Sequence, residues 1–267
     1  MKRIIAGLAL GASTLVTVAP AQAAPISPVE ALEKQLAPGR GVRTSVTDRD
    51  LSKPSVIARS TGTWEFGKAG AIASDLTTRY QRGKGVKKSV WDEYAPWTPE
   101  RALVRGGYKY VQGGPFDAYL PEGEKWIRYG PGFRPSTGFV DIFHAKQFRK
   151  LVADAKYVKG SYRGSITFKE LMKLKGEKVH SDVGKSTIDY LLETDSRDLV
   201  RRMVSRWTWR FGTTRPNVTL TETRFTDWGA KVAIKTPPES EWIDGMTLDE
   251  TPQDPANNSI DLLGQNR

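Results

Sequence analysis

The sequence predicts an α+β protein: a single curled antiparallel sheet, an open half-barrel, with two to three helices on its concave side. Three observations carry the antiparallel sheet and its few helices. Short alternating apolar and polar runs recur along the chain, separated by Gly/Pro-rich turns. Helical spacing appears only near the N-terminus, after Phe139 and briefly after Phe168. The strand–helix–strand rhythm of a parallel sheet is absent. Such a sheet curls with its own twist, and a concave side that helices do not fill is left as a cavity.

The elements follow in order. Lys2 and Arg3, an apolar run from Ile4 to Val18, and Ala21-Gln22-Ala23 have the pattern of a secretory signal peptide cleaved after Ala23. The run is short for a membrane-spanning helix, which needs roughly 20 residues. The expected organisation is a signal peptide over 1–23, a folded domain over 24–238 and an acidic, disordered tail over 239–267. "SPVEALEKQLAPG" starts a helix with Ser27 as cap, Pro28 in the first turn and Glu30 completing a capping box, and Pro38-Gly39 ends it. "STGTWEFGKAGAIASDLTTRY" gives two strands joined at 67–70, with Trp64 and Phe66 on one face of the first. Ile72, Ser74 and Leu76 share one face of the second. Residues 81–100 read as a polar connection.

A hairpin across Gly106-Gly107 and a strand over Trp126–Tyr129 follow. From Phe139 the stripe Val140, Phe143, Phe148, Leu151 and Val152 fits helical spacing. Tyr162–Phe168 reads as a strand entering a helical turn. The segment 188–211 is a hairpin turning at 195–198. Its second strand sets apolar Met203, Trp207, Trp209 and Phe211 against Arg202, Arg206 and Arg210. "TRFTDWGAKVAIKTPP" reads as a last hairpin, bending at Trp228-Gly229, with the indole packed at the turn.

Composition limits the functions. Without cysteine there are no disulfides, thiolate metal sites, cysteine nucleophiles or lipid attached to an N-terminal Cys. The chain holds 41 Lys and Arg against 30 Asp and Glu. The acids concentrate after Pro237, so the body is strongly basic and the tail acidic. A sharper reading of that tail is that it folds back on the body and competes with an anionic partner. Outside the cell the polyanions are lipid headgroups and wall polymers rather than nucleic acid. His144 and His180 stand alone, no G-x-S-x-G elbow occurs, and "VGKST" lacks the first glycine of a phosphate loop at Val179. Neither catalytic carboxylates nor metal ligands at suitable spacing are found, so no enzyme, cofactor or metal is expected.

Over residues 28–238 the order of elements resembles the LppX/LprG-type envelope lipoproteins, which share the open-barrel architecture of the LolA/LolB carriers and the sensor RseB. The segments that carry this are "ALEKQLAPGRGV", the first hairpin, "RGGYKYVQGG" with "LPEGEKWIRYG", "FVDIFHAKQFRKLV", the hairpin 188–211 and the final "TRFTDWGAKVAIKTPP". The resemblance implies a curved sheet around helices, enclosing an apolar cavity for the acyl chains of a lipid or lipoglycan. Trp64, Phe66, Ile72, Leu76, Phe139, Phe143, Phe148 and Leu151 are the candidate lining; equally, they could fill a dry core. Arg202, Arg206 and Arg210 are a candidate anion-facing stripe. The acylated Cys of that family is missing, so the expectation is a secreted or wall-associated carrier or sensor without a lipid anchor. The alternative is an interaction module with a filled core that binds a protein or an anionic wall polymer through its basic surface.

Overall fold

The computed structural model of the protein describes residues 27–53, 55–97, 99–179, 181–209 and 216–248. Helix α1 (Pro28–Glu33) begins at Ser27, whose Oγ accepts the Val29 N–H at 3.3 Å. Strands β1 (Arg40–Asp50), β2 (Ile57–Gly67) and β3 (Gly70–Gln81) then form an antiparallel meander. The connection 81–100, read as irregular, contains helix α2 (Lys88–Tyr94). Strands β4 (Glu100–Arg105), β5 (Tyr108–Gly113) and β6 (Trp126–Tyr129) extend the meander, with Gly106 and Gly107 taking the positive φ that their tight turn requires.

Helix α3 (Ala145–Asp154) leads to β7 (Lys156–Val158), β8 (Ser161–Thr167) and helix α4 (Phe168–Lys175). Thr167 and Glu170 form a reciprocal capping box on α4, and Gly176 ends it in the left-handed region. After the short α5 (Ser181–Gly184) come β9 (Thr187–Thr194), β10 (Val200–Trp209), β11 (Asn217–Lys231) and β12 (Trp242–Asp244).

All twelve strands belong to one open sheet, in the order β12-β6-β5-β4-β3-β2-β1-β11-β10-β9-β8-β7. Every pairing is antiparallel except β12 with β6. The α+β expectation is therefore met: an open, curled, mostly antiparallel sheet. Its inner face carries the main core, with Trp64 and Phe66 of β2, Met203 and Trp207 of β10, and Ile188, Tyr190 and Leu192 of β9 packed against α1, α3 and α4. Among the described residues the outer face is covered from β2 to β6, where Val232, Ile234 and Trp242 lie over Ala73, Leu103, Tyr110 and Trp126 and the Ile234 N–H donates to Glu65 of β2.

The structure corrects three expectations. Trp228-Gly229 is not a turn: β11 runs straight through it, paired to β1 on both sides. Arg43 pairs with Thr226 and Gly41 with Ala230, so Asp227, Trp228 and Gly229 bulge opposite Val42. The domain also continues past Pro238, because Trp242–Asp244 pairs with β6 as the edge strand. Residues 249–267 lie outside the described residues. Finally, the stripe from Phe139 is not one helix, since α3 begins only at Ala145.

Candidate functional site

The inner face is closed by aromatic rings. Phe143 lies at the centre, its ring 5.2 Å from Trp64, 5.3 Å from Phe66, 6.1 Å from Phe225 and 6.2 Å from Trp228. Phe139 begins a second group, 4.7 Å from Trp207 and 5.1 Å from Phe168. The buried indoles are satisfied where the strands allow it. Trp64 Nε1 donates to Thr44 Oγ1, and Trp228 Nε1 donates to the Val200 carbonyl, each at 2.9 Å.

Residues 139–143, which bring Phe139 and Phe143 to the core, are neither helix nor strand and form a roof. A small polar network holds the roof in place. The buried Asp141 carboxylate accepts the Phe143 N–H at 3.0 Å and the Thr137 hydroxyl at 3.1 Å. Gln147, fully buried, accepts the Asp141 N–H and donates to the Leu171 carbonyl on α4. His144 caps α3, its Nδ1 accepting the Gln147 N–H at 3.4 Å. Burial lowers the His144 pKa, against the charge of Asp141, and so favours the neutral ring that capping needs.

Seven of the eight lining candidates sit in this core. Trp64, Phe66, Phe143, Phe148 and Leu151 are buried, and Phe139 and Leu76 pack against them half-buried. Ile72 does not join them and is 44% exposed. A bulge sets Ala73 opposite Glu65 and Ala71 opposite Phe66, so Ala71 takes the inner position and Ile72 is turned out. Sequence reasoning missed Trp207, Phe168, Phe225 and Trp228 as members of the same ring assembly. For Trp207 the apolar alternation of β10 was the available signal.

Towards the far ends of β1, β10 and β11 the inner face becomes polar. Thr221 bonds Asp48 directly across the strands, and burial raises the Asp48 pKa against that bond. Among the described residues the Thr223 hydroxyl and Trp207 Nε1 are buried without a partner. The two best-formed hollows among the described residues are open surface grooves. One, of about 410 Å³, lies between α1 and α3, and the other, of about 310 Å³, lies beside β4 and β6. None of the eight candidates lines either groove.

On the outer face Arg202 is engaged, bonding Glu222 at 3.0 Å and Glu193 at 3.2 Å. The Arg202 hydrogen bond holds the Glu222 carboxyl below its ordinary range. Arg206 is exposed, and Arg210 lies outside the described residues, as does His180. The C-terminal strap is pinned by Arg128 to Asp244 at 2.6 Å and by Lys125 to Glu241 at 2.8 Å. Arg128 also stacks on Trp242, 3.7 Å from the ring centre. Among the described residues no group of His, Cys, Asp or Glu is placed to hold a metal ion.

No protein-family model and no curated protein sequence matches the chain. Solved structures overlap with it, and three of them are as follows. A LolA superfamily protein from Nitrosomonas europaea is 9% identical, covers 79% of this chain and 94% of its own, and has a TM-score of 0.29. A porin-like protein from Bacteroides uniformis is 7% identical, with 71% and 97% covered and a TM-score of 0.25. Rv2717c from M. tuberculosis is 9% identical, with 76% and 100% covered and a TM-score of 0.19. Overlaps this loose assign no family.

Proposed function

We propose that the protein is an exported, non-catalytic binding protein of the cell envelope, a carrier or sensor that takes the apolar part of an amphiphile into its inner face. The observation that carries this reading is the roof. Phe139 and Phe143 fill the space between sheet and helices, yet among the described residues no backbone hydrogen bond ties 139–143 to a strand. The roof can leave without breaking the sheet or a helix, and its departure uncovers Trp64, Phe66, Phe148, Leu151, Phe225 and Trp228. Export rests on the N-terminal sequence pattern alone.

A second reading is favoured by the packing itself. With rings 4.7–6.2 Å apart across its centre, the core is full, and binding would then use the basic surface. Native mass spectrometry of residues 24–267, secreted from a bacterial host, separates the two. Discrete added masses that dissociate as lipids support carriage. A single bare mass, unchanged after incubation with phospholipids and glycolipids, refutes it and leaves the filled-core reading.

A further inference from the structure

Among the described residues no hydrophobic cluster covers the outer face of β10, β11, β1 and the Arg59 end of β2, and the strand register gathers arginines there from β10, β1, β2 and β3. Arg206, Leu220 and Arg49 form one row across β10, β11 and β1. In the next row Thr47 is followed by Arg59 and Arg79, which stand directly opposite each other on β2 and β3. Arg59, Arg79 and Arg206 are exposed and Arg49 is half-buried. Among the described residues none of the four has a hydrogen bond or an ion pair, and Arg49 Nε is buried without an acceptor.

Arg163 of β8 is also exposed on this face, at the far edge of the sheet, but the arginines next to the patch are matched. Arg202 and Arg224 share Glu222, and Arg101 grips Asp75 through both its Nε and Nη2. Among the described residues Asp189, opposite Arg206 on β9, is a neighbouring acid without an ion pair. Like charges directly opposite across strands destabilise a sheet, and a buried donor without an acceptor costs about 1–3 kcal/mol. An anion accepting from both guanidinium groups removes the first cost, and one reaching Arg49 Nε removes the second. Guanidinium forks suit phosphate oxygens, to which they donate in pairs.

From β10 to β3 the patch crosses four strand spacings, about 19 Å. That width exceeds a single phosphate group, so a repeating anion fits it better. The apolar residue inside the patch, Leu220, is half-buried, and only Leu51 is exposed at its rim. The patch thus lacks the exposed apolar and aromatic side chains that hold a protein in a lipid surface. We propose that these four arginines bind an extended phosphodiester polymer lying across the strands. This surface is on the opposite side of the sheet from the roof, and its role is independent of lipid carriage.

The test measures binding of a fluorescent glycerol-phosphate oligomer by anisotropy at low and physiological salt. The wild-type protein should bind more weakly as salt rises. R59A/R79A, which removes two exposed side chains, should weaken binding by about tenfold or more and flatten the salt dependence. K146A/K173A, which removes two exposed charges from the helix side, should change binding by less than about twofold. No wild-type binding, or equal losses in the two variants, overturns the proposal. So does a result in which R59A/R79A loses sedimentation with phosphatidylglycerol vesicles but keeps its oligomer affinity, because the face then reads a lipid surface.

Discussion

Replacing Phe143 by Ala tests the roof most directly. The ring is 4% exposed and meets four other aromatic rings, three of them on strands β2 and β11 and one, Trp228, in the β11 bulge. A buried Phe→Ala change costs about 3–5 kcal/mol, more where the surroundings cannot close over the space. Here strand ladders fix three of the four neighbours, so the loss should fall in the upper half of that range. Urea unfolding followed by tryptophan fluorescence should show a midpoint lower by about 1–2 M with an unchanged slope. A loss below about 1 kcal/mol would refute the reasoning, because a ring worth so little is not packed in a closed core.

The same magnitude constrains any ligand. An acyl chain that displaces Phe143 and Phe139 must replace contacts worth about 8 kcal/mol together. Burying a methylene contributes about 0.8 kcal/mol, so the chain needs about ten buried methylenes to break even. Lipids with shorter chains should therefore bind F143A and leave the wild type bare in native mass spectra, whereas long-chain lipids should bind both. Equal binding of short chains by both proteins would mean that the roof is not the barrier.

Three further outcomes follow from individual groups. Tyr190 donates its hydroxyl to the Leu151 carbonyl at 2.8 Å, and burial, aided by the Asp154 charge, pushes its pKa up to about 12. Its contribution is complete below the ordinary tyrosine value of 10.0 and is lost as pH rises towards 12, so Y190F should flatten alkaline unfolding over that window. The His144 pKa is lowered, so the folded state binds its proton less well. Stability should fall as pH drops below the ordinary value of 6.5, and H144N, which keeps a capping acceptor, should abolish that fall in acid titrations. Glu65 Oε2 accepts from Arg105 at 2.6 Å and from the Ile234 N–H at 2.8 Å. E65A should cost about 1–3 kcal/mol, because it leaves the buried Ile234 N–H without an acceptor, and speed hydrogen exchange at Ile234, with E65Q milder because its amide oxygen still accepts.

Local signals made much of this fold legible. The cap at Ser27, the turn at Gly106-Gly107 and the strand Trp126–Tyr129 stand where the sequence places them, although Ser27 bonds the Val29 N–H rather than forming a box with Glu30, and α1 ends at Glu33. The roof was misread because Phe139, Val140 and Phe143 keep helical spacing with Phe148 and Leu151. Asp141 instead spends its carboxylate on the Phe143 N–H and on Thr137, bonds that favour a turn over a helix. The strap was missed because Val232 and Ile234 alternate like a strand and so read as the second arm of a hairpin, while Trp242-Ile243 is too short an apolar run to show a period. The arginine patch is invisible along the chain, since its members meet only through the register of four strands.

Trp228 shows why alternation failed at the end of the sheet, and it yields the last test. Phe225 and Trp228 are three residues apart, so a regular strand would put them on opposite faces. Yet both are buried on the inner face, with their rings stacked 5.6 Å apart. The bulge makes this feasible, because Asp227 and Gly229 both take positive φ, 55° and 84°, and turn the chain between them. Gly229 is the residue that holds such a conformation without strain. G229A should therefore cost about 1–2 kcal/mol from backbone strain alone. Because Trp228 also donates to the Val200 carbonyl, the strain should shift tryptophan fluorescence as well as stability. Unchanged stability together with unchanged fluorescence would mean that the bulge does not set the position of Trp228. Phe143 would then rest on a wall fixed by some other part of the sheet.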